Sequence, residues 1–113
     1  MKVSELAASL KWTPISEPDA EREANGAYIG DLLSWVMGRA SCDNVWITIM
    51  SNVNVVAVAT LTEPAAIVLA EDVVLQDDAL TAAKDNGLTV LSSPLSACDI
   101  CVAIARFVEE MET

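Results

Sequence analysis

Apolar residues near the start of the chain follow helical spacing. Positions 3, 6, 7 and 10 carry Val, Leu, Ala and Leu, the pattern of one helix face, which predicts an amphipathic helix from about Val3 to Lys11. Residues 12–24 contain two prolines and several acids, which predicts a short extended piece followed by an exposed loop. The chain is therefore expected to open with one short helix.

Downstream, short apolar segments alternate with longer amphipathic ones. Segments that are continuously apolar or rich in β-branched residues predict strands, and those between them predict helices. The predicted strands are residues 28–33, 45–50, 65–70 and 88–91, and the predicted helices are residues 34–38, 53–61, 77–86 and 94–111. This alternation favours parallel strands joined by right-handed crossovers. We expect a single α/β domain over residues 1–113, a mostly parallel sheet with helices packed on it.

Turn and cap residues set the predicted boundaries. Ser51 and Asn52 supply a turn and an N-cap for the helix that follows them. Gly87 is expected to stop the helix before it. Ser93 followed by Pro94 has the pattern of an N-cap with proline at the first helical position, so the last helix is predicted to begin there.

The last predicted helix carries two apolar faces and a narrow polar stripe. One apolar face suffices to pack on the sheet, so we expect a second subunit to cover the other and the chain to form a homodimer. One face holds Leu95, Cys98, Val102, Ala105 and Val108, the other holds Ile100, Ile104, Phe107 and Met111, and the stripe holds Ser96, Asp99, Ala103, Arg106 and Glu110.

Composition narrows the class of protein. The net charge of −11 comes from acids spread along the chain, and this field repels phosphate backbones and anionic lipid, whose binding depends on Lys and Arg. We therefore expect no nucleic acid and no membrane surface as a partner. No apolar run approaches the roughly 20 residues that span a bilayer. The N-terminus has an early acid and no apolar signal region, so a cytoplasmic location is predicted.

The sequence contains no histidine. This excludes Ser-His-Asp and Cys-His catalysis, phosphohistidine chemistry and His-ligated metals. A Gly-x-x-x-x-Gly-Lys-Ser/Thr phosphate loop is also lacking, so nucleotide hydrolysis and phosphoryl transfer are not expected. The sequence thus predicts neither an enzyme nor a cofactor.

Three cysteines define an alternative site. Cys98 and Cys101 have the C-x-x-C spacing of redox and metal sites, with Cys42 as a third thiol. Zinc takes four ligands, so three thiols without histidine leave the set incomplete. Because Cys98 also fits an apolar stripe, we expect buried structural thiols in a reducing compartment, with redox or metal use as the alternative.

Asn52 and Asn54 follow the predicted strand 45–50, and Ser92 and Ser93 follow the predicted strand 88–91, at the edge where ligands collect in open α/β sheets. Gly30, Asp31 and Thr48 lie near the ends of the predicted strands 28–33 and 45–50, and the Asp31 carboxylate is expected to face a pocket. Helix N-termini at that edge present backbone N–H groups to an anion. For each residue taken singly, helix capping is the alternative, and Asp31 with Ser34 would then cap a helix that begins near Leu32. The candidate ligand-binding residues are Gly30, Asp31, Ser34, Thr48, Asn52, Asn54, Ser92 and Ser93.

The stretch from Glu21 to Ser34 resembles the signature of the DRTGG domain family. That signature pairs an acid-Arg dipeptide with a small-residue pair, a Gly-Asp and a Leu-Ser. Here the four pairs are Glu21-Arg22, Gly26-Ala27, Gly30-Asp31 and Leu33-Ser34, and the similarity continues through residues 37–38, 46–48, 54–59 and 91–93. Three departures occur: Glu21 replaces the usual Asp, the threonine is not evident, and Ala27 replaces the second glycine.

The resemblance implies an α/β domain similar to the N-terminal domains of HPr kinase/phosphorylase and of MurF ligases. In the family, this domain occurs within some phosphate acetyltransferases, beside CBS domains and as free-standing small proteins, and it is regarded as regulatory. The phosphate loop of the kinase belongs to a separate catalytic domain. Our hypothesis is a non-catalytic regulatory or sensory module that binds a small, nucleotide-like ligand or a partner protein. A redox or metal-linked protein and a structural subunit of a larger enzyme are the alternatives.

Overall fold

A five-stranded sheet with helices on both faces organises the chain, whose computed structural model describes residues 1–112. The sheet order is β1-β5-β4-β3-β2, in which β1 is antiparallel to β5 and the other neighbours are parallel. The predicted α/β fold with a mostly parallel sheet is therefore confirmed. The strands are Thr13–Ser16 (β1), Ala27–Ile29 (β2), Val45–Thr48 (β3), Ala66–Leu69 (β4) and Val90–Ser92 (β5). The helices are Val3–Leu10 (α1), Leu33–Arg39 (α2), Val53–Thr62 (α3), Asp77–Asp85 (α4) and Ala97–Met111 (α5).

Two hydrophobic clusters fill the space on either side of the sheet. Side chains alternate along each strand, so Val45 and Ile47 of β3 pack with α1 and α5, whereas Trp46 between them packs with α2, α3 and α4. Every residue of β3 and β4 is buried, and the continuously apolar segment at residues 65–70 predicted this for β4. The central strands thus hold both helical layers.

The strand predicted over residues 28–33 is shorter than expected. The β2 ladder ends when the Gly30 N–H donates to the Ile47 carbonyl at 3.2 Å. Asp31 then accepts hydrogen bonds from the Thr48 hydroxyl and the Ile49 N–H at the end of β3, and α2 begins at Leu33. The end of this strand is therefore set by contacts to its neighbour, which the local sequence does not display.

The last helix begins at Ala97, so the prediction of a start at Ser93 and Pro94 is wrong. The backbone of Ser93 remains tied to the sheet, because its N–H donates to Leu69 O at 2.9 Å and its carbonyl accepts from the Asp72 N–H at 3.0 Å. The actual N-cap is Ser96, whose hydroxyl oxygen accepts from the backbone N–H of the third helical residue at 3.1 Å.

Helix α5 packs on the sheet through residues of both predicted apolar faces, because Val108 of one face packs against the core with Ile100 and Ile104 of the other, while Met111 is 56% exposed. Ile100 and Ile104 are buried in the core beside α1, with Phe107 packed against them. On the other predicted face, Val102 is 44% exposed and Cys98 is also exposed. The amphipathic prediction holds, and it leaves an apolar stripe of α5 uncovered in one copy of the chain. Within residues 1–112, no helix is long and apolar enough to cross a membrane.

Arg22 joins three segments at the amino ends of the parallel strands. Its Nε and Nη2 atoms donate to Asp43 Oδ1 at 2.9 and 2.7 Å, and Nη2 also donates to the Glu63 carbonyl at 2.9 Å. These residues precede β2, β3 and β4 in turn. The Asp43 carboxylate raises the pKa of the Arg22 guanidinium, so the cation is fixed at all physiological pH values. We call this arrangement the Arg22 clamp.

The clamp holds two residues in a backbone conformation that L-residues rarely adopt. Asp43 has φ of 66° and Glu63 has φ of 52°, both in the left-handed region. The Asp43 N–H donates to the Glu63 carbonyl at 3.0 Å, the oxygen that Arg22 also binds. Side chain and backbone therefore fix the same turn from two sides.

Arg22→Ala removes three hydrogen bonds, but the ion pair that it breaks is partly exposed to solvent. We therefore expect the free energy of unfolding to fall by about 1 to 2 kcal/mol. The side chains of Arg22 and Asp43 are 33% and 44% exposed, which keeps the cost below that of a buried pair. Urea denaturation measures the change. Lys84→Ala, at an exposed position of α4, is the control, with an expected change within about 0.5 kcal/mol. Equal stability of the two variants would contradict a structural role for the clamp.

Candidate functional site

The carboxyl ends of β2, β3, β4 and β5 meet along one edge of the sheet, because these strands are parallel. We call the segments that follow them, residues 30–32, 49–52, 70–72 and 93–96, the carboxyl edge. Neighbouring strands lie about 4.8 Å apart, so the ends of β2 and β5 are separated by about 14 Å. The candidate residues are therefore spread over a distance similar to the length of an extended small ligand. No single ligand atom can contact all of them.

Asp31 is the centre of the hydrogen bonding at the β2 end of this edge. Its Oδ1 accepts from the Thr48 hydroxyl at 2.7 Å and from the Ile49 N–H at 3.0 Å. Thr48 is buried, and its hydroxyl oxygen in turn accepts from the Met50 N–H at 3.1 Å. The Asp31 side chain nevertheless stays exposed, and Oδ2 takes part in neither bond. The carboxylate is thus held in place with one oxygen left for another donor.

Gly30 positions this carboxylate through its backbone. Its carbonyl accepts from the indole Nε1 of the buried Trp46 at 2.9 Å. A Cβ at position 30 would lie 2.7 Å from Tyr28 Cε2 and 3.3 Å from Val36 Cγ2. The glycine of the Gly-Asp pair is therefore required because two side chains approach its α-carbon closely.

The capping interpretation fails for Asp31 and Ser34 and holds for Asn52. The N-cap of α2 is Leu32, which has no side-chain cap, and Ser34 lies exposed in the first turn. Asn52 Oδ1 accepts from the Asn54 N–H at 3.0 Å and caps α3 as predicted. The Asn54 side chain is exposed.

The two serines at the β5 end differ in burial. Ser92 is half-buried at the end of β5. Ser93 is buried, and its Oγ accepts from the Leu95 N–H at 3.2 Å. Ser93 therefore holds the turn between β5 and α5. Of the predicted set, the structure joins Gly30, Asp31 and Thr48 in one hydrogen-bonded group and places the others further along the edge.

The cysteines do not form one cluster. No group of three or more Cys, Asp or Glu side chains among the described residues is arranged to hold a metal ion. Cys98 is exposed, which contradicts the predicted burial, and Cys101 is half-buried one turn further along α5. Cys42 lies beside the Arg22 clamp, where its Sγ is 3.9 Å from Glu63 Oε2. Partial desolvation and the Asp43 carboxylate raise the pKa of Cys42, which disfavours the reactive thiolate.

The first half of the signature lies at the opposite end of the sheet from Asp31. Glu21 pairs with Lys2 at 3.2 Å, and this hydrogen bond lowers the pKa of the Glu21 carboxyl. A cavity of about 810 Å³ opens beside the chain at Ala24 to Ala27, against the last turns of α5. Sequence reasoning missed both this cavity and the Arg22 clamp.

Comparisons with known proteins support the fold. No protein-family model matches the chain, and no curated protein matches its sequence. Among solved structures it is similar to the crystal structure of the CBS and DRTGG domains of the regulatory region of Clostridium perfringens pyrophosphatase, complexed with the activator diadenosine tetraphosphate. The TM-score is 0.74 at 11% identity over 91% of this chain, which spans 45% of the length of that chain. The similarity shows a DRTGG-like fold.

Gly30→Ala is expected to lower the free energy of unfolding by about 1 to 3 kcal/mol, because the added methyl overlaps the Tyr28 ring. Gly38→Ala is the matched control. Nothing lies within 4 Å of a Cβ at that position of α2, so the change should raise stability by about 0.5 to 1 kcal/mol. Thermal or urea unfolding compares the two, and a Gly30→Ala variant as stable as wild type would show that close packing does not require this glycine.

Proposed function

We propose that this chain is a non-catalytic regulatory module that binds a small ligand at its carboxyl edge. The observation that carries the proposal is the Asp31 carboxylate, which Thr48 and Ile49 hold through one oxygen while the side chain remains exposed. An acceptor held in advance loses little conformational freedom when a donor binds. The position at the carboxyl ends of parallel strands is where open α/β folds bind ligands.

The charges at this edge favour ligand groups that donate hydrogen bonds. The carboxyl edge contains no Lys or Arg, and it carries the exposed acids Asp31, Glu71 and Asp72. Free phosphates would meet like charge there, whereas hydroxyl and amino groups would find acceptors. A carboxylate beyond a strand end binds ribose hydroxyls in dinucleotide-binding folds. We therefore propose that the sugar or base of a nucleoside occupies the Asp31 end and that any phosphates bind with a divalent cation.

The fold supports a regulatory role and the residues support the absence of catalysis. The similar Clostridium structure is a regulatory region, and its activator is a dinucleotide, which makes that compound a ligand to test here. Asp31 has no histidine to act with, since the sequence contains none. The redox alternative retains only Cys98 and Cys101, and three free cysteines continue to favour a reducing, cytoplasmic location.

We further propose that the module is a homodimer formed through the exposed stripe of α5. Asp99, Val102 and Arg106 lie along one side of the helix, with Leu95 just before its first turn, and these residues line a cavity of about 460 Å³. In an antiparallel two-fold pairing centred between positions 102 and 103, Asp99 of each copy lies opposite Arg106 of the other. The stripe is therefore self-complementary in charge and apolar at its centre.

Asp31→Asn tests the ligand proposal, because the amide oxygen can still accept from Thr48 and Ile49 while the negative charge is lost. The ligands are adenosine and diadenosine tetraphosphate, with and without Mg²⁺, measured by isothermal titration calorimetry. We expect binding to weaken by about 2 kcal/mol, or about 30-fold, on loss of a charged acceptor. Magnesium should strengthen binding of the tetraphosphate and leave adenosine unchanged.

Asp85→Asn is the control, since it removes an exposed charge at the end of α4. It should bind each ligand as wild type does. Wild-type binding by Asp31→Asn, or no binding of any of these ligands to the wild-type protein, would refute the proposed site.

A charge exchange tests the dimer. Asp99→Arg alone should lower the mass measured by light scattering toward that of a monomer, because two arginines then face each other at each end of the pairing. Adding Arg106→Asp restores opposite charges and should restore the dimer. A wild-type monomer at micromolar concentration, or no recovery in the double variant, would contradict this interface.

A further inference from the structure

The cavity beside the signature forms a groove that the carboxyl edge does not use. It lies between Ala24 to Ala27 on one side and the last three turns of α5 on the other, with Ile104, Val108 and Met111 facing it. Its volume of about 810 Å³ lies within the range of protein pockets that bind ligands. We call it the α5 groove.

The groove exists because α5 leaves the edge strand uncovered. Val45 and Ile47 of β3 pack under α5 in the core. On the next strand, Ala27 is exposed and Ile29 is 44% exposed, although they point to the same face of the sheet. Ala27 therefore lines the groove, and Ile29 extends this apolar strip of β2 beyond the lining.

The charges around the groove are all negative apart from the N-terminus. Glu109 and Glu112 line it, and its lining within residues 1–112 includes no Lys or Arg. The amino group of Met1 already pairs with Glu23 at 2.8 Å. Positive charge on an occupant would therefore gain from both glutamates, while negative charge would be repelled.

The wall of the groove is held before anything binds. The Ala24 N–H donates to the Met1 carbonyl at 2.7 Å, and the Asn25 N–H donates to the Asp43 carbonyl at 2.8 Å. Asp43 is itself fixed by Arg22. An occupant thus enters a preformed site and does not have to order this segment.

We propose that the α5 groove binds an amphipathic helix of a partner protein, with apolar side chains in the groove and Lys or Arg along its flanks. The apolar floor supplies the buried contact and the two glutamates supply the charge complementarity. A second copy of this chain is less suited to this groove, because its acidic side chains outnumber its basic ones by 11 and the groove is lined by Glu109 and Glu112. The self-complementary stripe of α5 lies on a different side of the helix.

A designed peptide pair tests the proposal without knowledge of the partner. One labelled peptide of about 18 residues carries Leu at helical spacing and Lys elsewhere, and its twin carries Glu in place of Lys. Fluorescence anisotropy measures binding to wild type and to Glu109→Lys/Glu112→Lys, whose lysines suit the negative end of α5. We expect the Lys peptide to bind wild type and to lose about tenfold or more in affinity for the variant, while the Glu peptide gains.

The control variant, Glu17→Lys/Asp85→Lys, makes the same change in net charge at exposed positions away from the groove. It should bind the Lys peptide like wild type, and the backbone amide signals of Ala27 and Val108 should shift on binding in NMR spectra. No binding to wild type, an equal loss in both variants, or shifts elsewhere would overturn the proposal. So would conversion of a dimer to a monomer by the Glu109→Lys/Glu112→Lys variant, because the groove would then belong to a second copy.

Discussion

The bond between Arg22 and Asp43 is the contact on which the arrangement of this domain depends. Three strands of the sheet begin close together, and the segments leading into them must be held although none belongs to a helix or strand. One guanidinium does this by binding a carboxylate and a backbone carbonyl from the two neighbouring segments. From these starts, β2, β3 and β4 pair in parallel register, and their carboxyl ends lie side by side at the other end of the sheet.

The signature is thereby divided between two tasks at opposite ends of the sheet. Its acid-Arg pair acts at the amino ends, where Glu21 binds Lys2 and Arg22 forms the clamp. Its Gly-Asp pair acts at the carboxyl end of β2, where Gly30 admits close packing and Asp31 reaches across to β3. A motif that is continuous in sequence therefore describes one strand, with a structural contact at its start and the exposed candidate residue Asp31 after its end.

Local patterns predicted the parts of the fold that local energetics determine. The buried strands β3 and β4 and the helix capped by Asn52 were found because apolar runs and cap residues act within a few positions. The end of β2 and the start of α5 were misplaced because distant partners fix them: Thr48 for Asp31, and Leu69 with Asp72 for Ser93.

The candidate site was also predicted only in part. The sequence predicted Asp31 and Thr48 as candidates but placed both inside predicted strands, so the hydrogen bond that joins them was not predicted. The partners of Arg22 lie on later segments of the chain, and no spacing rule connects them. The antiparallel pairing of β1 with β5 was missed for the same reason, since it depends on which strand of the parallel sheet has an unpaired side.

NMR mapping of backbone amide shifts with adenosine and with diadenosine tetraphosphate is the most direct test of the central claim. That claim is that ligands bind at the carboxyl edge, whereas the amino ends of the strands have a structural role. The account predicts that the perturbed signals belong to Gly30, Asp31, Ile49 and Met50, and that those of residues 22–25 and 43–45 stay unchanged. Perturbation centred on residues 22–25, with the carboxyl edge unaffected, would contradict it.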